Sequence, residues 1–291
     1  MPSPWNEPGR APAIMGILNV TPDSFSDGGR FYSVDEALSH ARKMVSEGAQ
    51  LIDIGGESTR PGALRQPAAT QMQRVLPVIR ALRLGLEAET VISVDTTSAE
   101  VARAALDAGA DMINDVSAGR ESPDMLALAA ERRVPIVLMH MQGQPETMQD
   151  DPRYDDVVAE VRDFLAGRAL AALDAGIDRC NIVLDPGIGF GKRRQDNIAL
   201  LAALPTLVDL GYPLLLGTSR KRFMGSLCAT RQPRDLLGAT CATSALAAIS
   251  GVSIVRVHDV EANRQAAEVA WVIAQAGANR PARFDEVRPR G

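Results

Sequence analysis

Short apolar runs recur along the chain, and longer segments with helical spacing separate them. Runs of four to seven residues, rich in Ile, Leu, Val and Met, are typical of strands that are buried on both faces. They cover residues 14–20, 51–54, 91–94, 112–116, 136–139, 181–184, 213–216 and 253–257. The pattern therefore predicts eight strands that alternate with helices.

The first intervening segment shows how each unit is built. Its apolar residues, between Val34 and Val45, recur at the spacing of one helix face. Ser33 and Glu36 form a capping box at its start, and Gly48 follows its end. Glycine returns in the same place before later apolar runs, at residues 109, 176 and 211. A helix, a glycine and a strand thus form a repeating unit.

The unit length favours a (β/α)8 TIM barrel in the α/β class. Seven intervals separate Asn19, at the end of the first strand, from His258, at the end of the last, or about 34 residues per unit. We expect one catalytic domain over 14–280, a disordered N-terminal lead-in over 1–13 and a C-terminal tail over 281–291. A doubly wound open sheet is the alternative, but no dinucleotide-binding G-x-G-x-x-G turn follows the first run.

Composition narrows the class of function. The 291 residues are 46% hydrophobic and carry a formal charge of −5, so the chain offers no basic field for nucleic acid. It has neither a signal peptide pattern nor an apolar stretch long enough to span a membrane, which predicts a cytoplasmic protein. Three scattered cysteines fit neither a disulfide framework nor a zinc site.

Polar residues cluster directly after the apolar runs. Asp53, Asp95, Asp115 and Asp185 lie at four strand ends, which meet on the C-terminal face of a barrel, where such enzymes place their chemistry. A buried carboxylate needs a partner there, either a ligand rich in donors or the backbone amides of the next turn. Both interpretations stay open for any single Asp.

Basic residues follow other strands and suit an anionic substrate. Arg256 and His258 alternate with valines, so they share one face of the last strand. We interpret Lys192 and Arg222 instead as solvated loop charges. The glycine-rich run 187–192 fails the spacing of a phosphate-binding P-loop. His140 could be a site residue or a satisfied core histidine.

Eight segments together resemble the motifs of dihydropteroate synthase, in the order of that family. They are 15–29, 55–62, 93–96, 113–115, 138–143, 185–192, 219–221 and 256–260. Departures are confined to segments such as 193–197 and the N-terminus. The resemblance implies an enzyme that condenses 6-hydroxymethyl-7,8-dihydropterin pyrophosphate with p-aminobenzoate, giving 7,8-dihydropteroate and pyrophosphate.

The resemblance also implies the site residues. The catalytic residues would be Asn19, Lys221, Arg256 and His258. The pterin would be bound by Asp95, Asn114, Met139, Asp185 and Lys221. The pyrophosphate would be bound by Asn19, Thr59, Arg60, Arg256 and His258, with Mg²⁺ on Asn19. The p-aminobenzoate pocket would be formed by Phe25, Thr59, Pro61, Gly189, Phe190, Lys221 and Arg222.

Further expectations follow from the family. They are a homodimer, inhibition by sulfonamides, and a supporting role for Asp53. Two other functions remain possible at this point: a folate-dependent methyltransferase, which would also bind a pterin on a barrel, and a non-catalytic paralogue. The residues that would bind pyrophosphate argue against the methyltransferase. The intact first two loops argue against the non-catalytic paralogue.

Overall fold

A computed structural model describes residues 4–5, 10–20, 34–57, 62–63, 65–230 and 232–278. Within these residues the chain forms eight strands. They are β1 (Ala13–Asn19), β2 (Leu51–Gly55), β3 (Val91–Asp95), β4 (Met112–Asp115), β5 (Ile136–Met139), β6 (Ile182–Asp185), β7 (Leu215–Leu216) and β8 (Ile254–Val257). All eight predicted strands are confirmed, with ends shifted by at most two residues.

The strands form a parallel barrel. Their order is β6-β5-β4-β3-β2-β1-β8-β7, so the first strand pairs with both the second and the last. A bridge between Leu184 and Leu214 brings β6 against the start of β7 and closes the ring. The TIM barrel prediction is confirmed. The open sheet is excluded, because in a doubly wound fold β1 does not pair with the last strand of the sheet.

Helices surround the barrel. They are α1 (Val34–Ser46), α2 (Ala68–Gly85), α3 (Ala99–Asp107), α4 (Met125–Arg132), α5 (Val157–Asp174), α6 (Arg194–Ala202), α7 (Leu204–Val208), α8 (Arg222–Leu227), α9 (Leu237–Ile249) and α10 (Val260–Ala278). In α1 the predicted apolar face is buried, and Gly48 follows the helix with φ 102°. The predicted cap at Ser33 lies outside the described residues.

The barrel interior is filled in layers by alternate residues of each strand. The lowest layer, at the amino ends of the strands, is apolar. It comprises Ala13, Met15, Leu51, Met112, Val137, Val183, Leu215 and Ile254, with Trp5 packed against them. Trp5 is buried, so the lead-in predicted to be disordered over 1–13 is in part packed under the barrel, and β1 already begins at Ala13. The C-terminal tail lies outside the described residues.

A second apolar core fills the space between the sheet and the helices. It is formed by the strand residues that point outward, such as Ile52, Ile92 and Leu184, and by the inner faces of the helices. Across the described ranges, none of the helices combines the length and the apolar character needed to cross a membrane.

Candidate functional site

Above the apolar floor, the inward-pointing positions of the strands become polar. The next inward-pointing residues toward the carboxyl ends of β2, β3, β4 and β8 are Asp53, Ser93, Asn114 and Arg256. Asp95 lies two residues beyond Ser93 on β3. All of the acids and amides in this layer are buried. The strands thus bring residues that are up to 203 positions apart in sequence into one polar layer at the C-terminal end of the barrel.

Arg256 is the centre of this layer. Its Nε donates to Asp53 Oδ2 at 2.6 Å, and its Nη2 donates to Asp95 Oδ2 at 2.9 Å. Asp53 also accepts from Ser93 Oγ at 2.6 Å and from Asn114 Nδ2 at 2.9 Å. Asp53, whose role the sequence left as supporting, is therefore the buried carboxylate that orients both Arg256 and Asn114.

Two buried carboxylic acids of the site, Asp95 and Asp185, ionise less readily near neutral pH than exposed ones do. Burial, together with the nearby charge of Asp53, raises the pKa of Asp95 to about 7. Burial also raises the pKa of Asp185 to about 6, although the Gly187 N–H, which donates to its Oδ1 at 2.7 Å, acts in the opposite direction. Such shifts are typical of carboxylates in functional sites.

Lys221 faces these acids from the loop after β7. Burial lowers the pKa of its ammonium group to about 8, although Asp185 and Asp95 favour the charged form. Its Nζ lies 3.9 Å from the centroid of the Phe190 ring, in cation–π geometry. Arg220 precedes it with φ 59° and is held by Asp259, to which its guanidinium donates twice, at 2.7 and 3.1 Å.

His258 lies beside Arg256 at the end of β8. Its Nδ1 is 2.9 Å from Ser219 Oγ, and its backbone N–H donates to the same oxygen at 3.2 Å. Ser219 belongs to the Ser-Arg-Lys segment that carries Lys221. One hydroxyl therefore fixes the orientation of the imidazole relative to Lys221.

The glycine-rich loop after β6 forms a wall of the site. A Cβ on Gly187 or on Gly191 would overlap the carbonyl oxygen of His140 or Gln142, and both glycines have positive φ. A Cβ on Gly189 would lie 3.0 Å from Cδ of Lys221. The glycines thus allow the loop to approach its neighbours closely.

Lys192, at the end of this loop, contradicts its predicted role. It is 2% exposed, so it is not a solvated loop charge. Its Nζ lies 2.9 Å from Nδ1 of His140, whose side chain is also buried. Burial lowers the pKa of Lys192 to about 7 and that of His140 to about 3.

Asp115 lies outside the polar layer. It points away from the barrel axis and accepts hydrogen bonds from the Ser117 N–H and hydroxyl and from the Gly119 N–H. For this acid the second interpretation applies, because its partners are backbone amides of the following turn. Its position in β4, one residue out of phase with Asn114, accounts for the difference.

The remaining predicted residues divide between the pocket wall, its edge and undescribed segments. Met139 is buried with Phe190 in an apolar cluster next to Asp185. Asn19 ends β1, and its Oδ1 is 3.4 Å from where a Cβ on Gly55 would lie. Arg222 begins α8 and is exposed, as predicted. Phe25, Thr59, Arg60 and Pro61 lie outside the described residues.

The donor set fits Mg²⁺ only in part. Among the residues that the structure describes, no group of three or more His, Cys, Asp or Glu side chains could hold a metal ion. Asn19 offers one amide oxygen at the rim, which is a hard ligand of the kind that Mg²⁺ accepts when phosphates and waters complete its shell. The fit therefore depends on a phosphorylated substrate.

Comparison with known proteins agrees with this geometry. A family model described as "Pterin binding enzyme" matches residues 15–258. The chain is 49% identical over 262 residues to dihydropteroate synthase from Synechocystis sp., covering 90% of each chain. Among solved structures it is similar to the Xanthomonas albilineans dihydropteroate synthase with 4-aminobenzoic acid (49% identity, TM-score 0.84, 93% and 94% of the two chains). It is also similar to the Yersinia pestis enzyme in a sulfonamide drug complex (43% identity, TM-score 0.84, 93% and 95%).

Proposed function

This chain belongs to the dihydropteroate synthases within the pterin-binding enzymes, and from that premise we propose how its rim performs the reaction of the family. It condenses 6-hydroxymethyl-7,8-dihydropterin pyrophosphate with p-aminobenzoate and releases pyrophosphate. The observation that carries the proposal is the buried layer in which Arg256 joins Asp53 and Asp95. Hydrogen-bond acceptors lie beside cations in this layer. A substrate that has a donor-rich ring and an anionic pyrophosphate requires both.

The pterin ring binds to the acceptor side of this layer. Its guanidine-like edge offers paired N–H donors, which carboxylates accept with two oxygens. Asp185 and Asp95 supply these oxygens, and Asn114, oriented by Asp53, supplies an amide. Met139 gives apolar contact to the flat ring. Lys221 donates to the acceptor atoms of the ring.

The pyrophosphate lies on the cationic side. Arg256 and His258 lie there at the end of β8, and Asn19 ends β1. Thr59 and Arg60 would add contacts from the second loop. Because preorganised donors act most strongly on charge that develops during the reaction, these groups stabilise the leaving pyrophosphate more than the bound substrate.

Asn19 would hold Mg²⁺ together with phosphate oxygens and water. When bound, the ion would neutralise charge on the pyrophosphate.

The second substrate needs no protein base. The nitrogen of an arylamine is already neutral at pH 7, so it can attack the pterin methylene carbon directly. The electron-rich dihydropterin can stabilise positive charge as the carbon–oxygen bond to pyrophosphate breaks. The new carbon–nitrogen bond then forms, and the nitrogen gives up one proton to the departing pyrophosphate or to water. Phe25, Thr59, Pro61, Gly189, Phe190, Lys221 and Arg222 form the pocket for p-aminobenzoate in this proposal. The protein supplies orientation and leaving-group stabilisation, and no nucleophile.

Sulfonamides should bind in the same pocket, since they also present an arylamine opposite an oxygen-rich group. We expect them to compete with p-aminobenzoate, mainly after pterin pyrophosphate or pyrophosphate has bound. Steady-state inhibition at several p-aminobenzoate concentrations is the measurement. Inhibition that is noncompetitive with p-aminobenzoate would place the pocket elsewhere.

The chain acts as a homodimer in this proposal, and the cytoplasmic location stays a prediction from the sequence. Support for the dimer comes from an apolar stripe on α9 and α10. Large side chains there are 36 to 64% exposed: Leu246, Ile249, Val269, Val272 and Ile273. Their spacing places them on one face of each helix, and a contiguous apolar face of this kind is typical of a subunit interface. A second copy of the chain is the occupant we propose.

Turnover tests the function. The purified chain should form 7,8-dihydropteroate from both substrates, and activity should fall when Mg²⁺ is removed by a chelator. Lack of dihydropteroate with both substrates and Mg²⁺ present would overturn the proposal. A methyl transfer that depends on cobalamin would support the methyltransferase alternative instead.

A further inference from the structure

Lys192 is a buried charge to which the reaction described above assigns no role. Its Nζ has four polar neighbours: Nδ1 of His140 at 2.9 Å, the carbonyl oxygens of Gly187 and Phe190 at 3.0 Å each, and that of His140 at 3.3 Å. The three carbonyl oxygens can only accept, and an ammonium group has three protons to donate, whereas a neutral amine has two. The geometry therefore suits the charged form.

The acceptors belong to the glycine loop 187–191 and to the end of β5, which it covers. Other side chains hold the same loop: the Tyr154 hydroxyl donates to the Gly191 carbonyl at 2.6 Å, and Gln149 Nε2 donates to the Gly189 carbonyl at 2.8 Å. The Gly189 N–H donates to Asn197 Oδ1 at 2.6 Å. Lys192 differs from these residues because it alone among them binds two loop carbonyls and β5 at once.

The opposite side of the loop contacts the reaction site. The Phe190 ring lies under the Lys221 ammonium group at 3.9 Å, and the Gly187 N–H donates to Asp185. The Phe190 carbonyl is therefore bound by Lys192, while the ring of the same residue faces Lys221 and, in the proposed function, the p-aminobenzoate pocket. A shift of this loop would displace the ring.

We propose that Lys192 is a positioning residue, whose ammonium group ties the glycine loop to His140 and so holds Phe190 in register with p-aminobenzoate. The proposal rests on the proposed function for the identity of the second substrate. It predicts that the two substrates are affected unequally. Loss of the ammonium group should affect the steps that involve p-aminobenzoate more than the binding of pterin, which depends chiefly on strand residues.

The first test replaces the ammonium group with an apolar chain of similar length. In Lys192→Met, kcat/KM for p-aminobenzoate should fall about ten- to a hundredfold, the scale of loss for reacting groups misplaced by about 1 Å. The Kd of an unreactive pterin should change by less than about threefold. The matched control is Lys43→Met, since Lys43 lies on α1 with 69% of its side chain exposed, and it should behave as wild type.

A second pair of variants tests the His140 contact without changing the lysine. His140→Asn keeps an acceptor oxygen near the position of Nδ1, whereas His140→Leu removes it. We expect about a tenfold loss in kcat/KM for p-aminobenzoate in His140→Leu, which corresponds to one hydrogen bond to a charged group. His140→Asn should stay within about threefold of wild type. If Lys192→Met fails to fold, these two His140 variants still test the role of Lys192.

Hydrogen exchange followed by mass spectrometry gives a readout without turnover. Amides of the peptide that contains 187–191 should lose protection in Lys192→Met and His140→Leu, and keep it in Lys43→Met and His140→Asn. The proposal is overturned if Lys192→Met keeps wild-type kinetics and loop protection. It is also overturned if pterin affinity falls as much as kcat/KM for p-aminobenzoate, or if the two His140 variants behave alike. An inactive wild type with these exchange differences would count against the proposed function and not against the role of Lys192 in fixing the loop.

Discussion

At the scale of single residues, the site depends on carboxylates that are buried before any ligand arrives. The Gly187 N–H donates to Asp185, and burial raises the pKa of this carboxyl to about 6. Below that pH it is mostly neutral, so it accepts poorly from the donor edge of a pterin. As pH rises through about 6 it ionises, and pterin affinity should increase.

Asp185→Asn should remove this gain. We expect it to weaken binding of an unreactive pterin at pH 8 by about 1.5–3 kcal/mol, the range for a hydrogen bond to a charged group. The rise in affinity between pH 5 and pH 7 should also become smaller than in wild type. Calorimetry across that pH range measures both effects. An unchanged affinity at pH 8 would remove Asp185 from the pterin site.

Arg256 should contribute to stability as well as to turnover, because it is the cation between two buried acids. Arg256→Met leaves Asp53 and Asp95 facing each other, and breaking such a pair on one side costs about 3–5 kcal/mol in buried settings. Since the Arg256 side chain is 20% exposed, we expect the lower end of that range. Adding Asp53→Asn to Arg256→Met should restore part of the loss. Urea unfolding of the single and double variants is the measurement, and strictly additive losses would contradict the coupling.

The alternation of residues along each strand is the sequence signal that separates site residues from their neighbours. Asp53, Asp95 and Asp185 lie in phase with the apolar residues of the barrel floor, whereas Asp115 is out of phase and binds its own turn. That phase was readable in the sequence, and it would have assigned Asp115 correctly. The partners of Arg256 were not readable, because they come from strands that are 161 and 203 residues away.

At the scale of elements, the predicted strands match those of the structure. A short apolar run that is buried on both faces is typical of a strand in a parallel sheet. The loops were harder to predict. Lys192 was misread as solvated because a lysine after a glycine-rich run usually reaches water, and nothing nearby in sequence shows that His140 covers it. Tertiary contacts from β5 decide its burial, and those contacts have no local signature.

The glycine loop gives a prediction about backbone geometry. Gly187→Ala should lower the free energy of unfolding by about 2–3 kcal/mol or more, because φ is 64° and the new Cβ would overlap the His140 carbonyl. Gly176→Ala is the matched control. Its φ is 91°, but the nearest atom to an added Cβ is 3.8 Å away, so only the left-handed strain of about 1–2 kcal/mol applies. Equal losses in both variants would show that overlap with β5 is unimportant.

At the scale of the whole molecule, the apolar stripe on α9 and α10 predicts an assembly. Val272→Glu places a charge in the middle of the stripe and should convert the proposed homodimer to a monomer, because a buried unpaired carboxylate is costly at an interface. Leu84→Glu is the control, since Leu84 is 90% exposed on α2, away from the stripe. Sedimentation velocity distinguishes the two forms. A wild-type chain that sediments as a monomer would remove the dimer from this account.

The central claim is that the barrel rim joins pterin to p-aminobenzoate by binding and leaving-group stabilisation, without a covalent bond to the protein. Rapid quenching during turnover, followed by mass spectrometry of the intact chain and quantification of both products, tests this claim in one measurement. The account predicts that 7,8-dihydropteroate and pyrophosphate accumulate in equal amounts while the chain keeps its unmodified mass at every time point. A chain that gains the mass of a pterinylmethyl group and loses it when p-aminobenzoate is added would contradict the account.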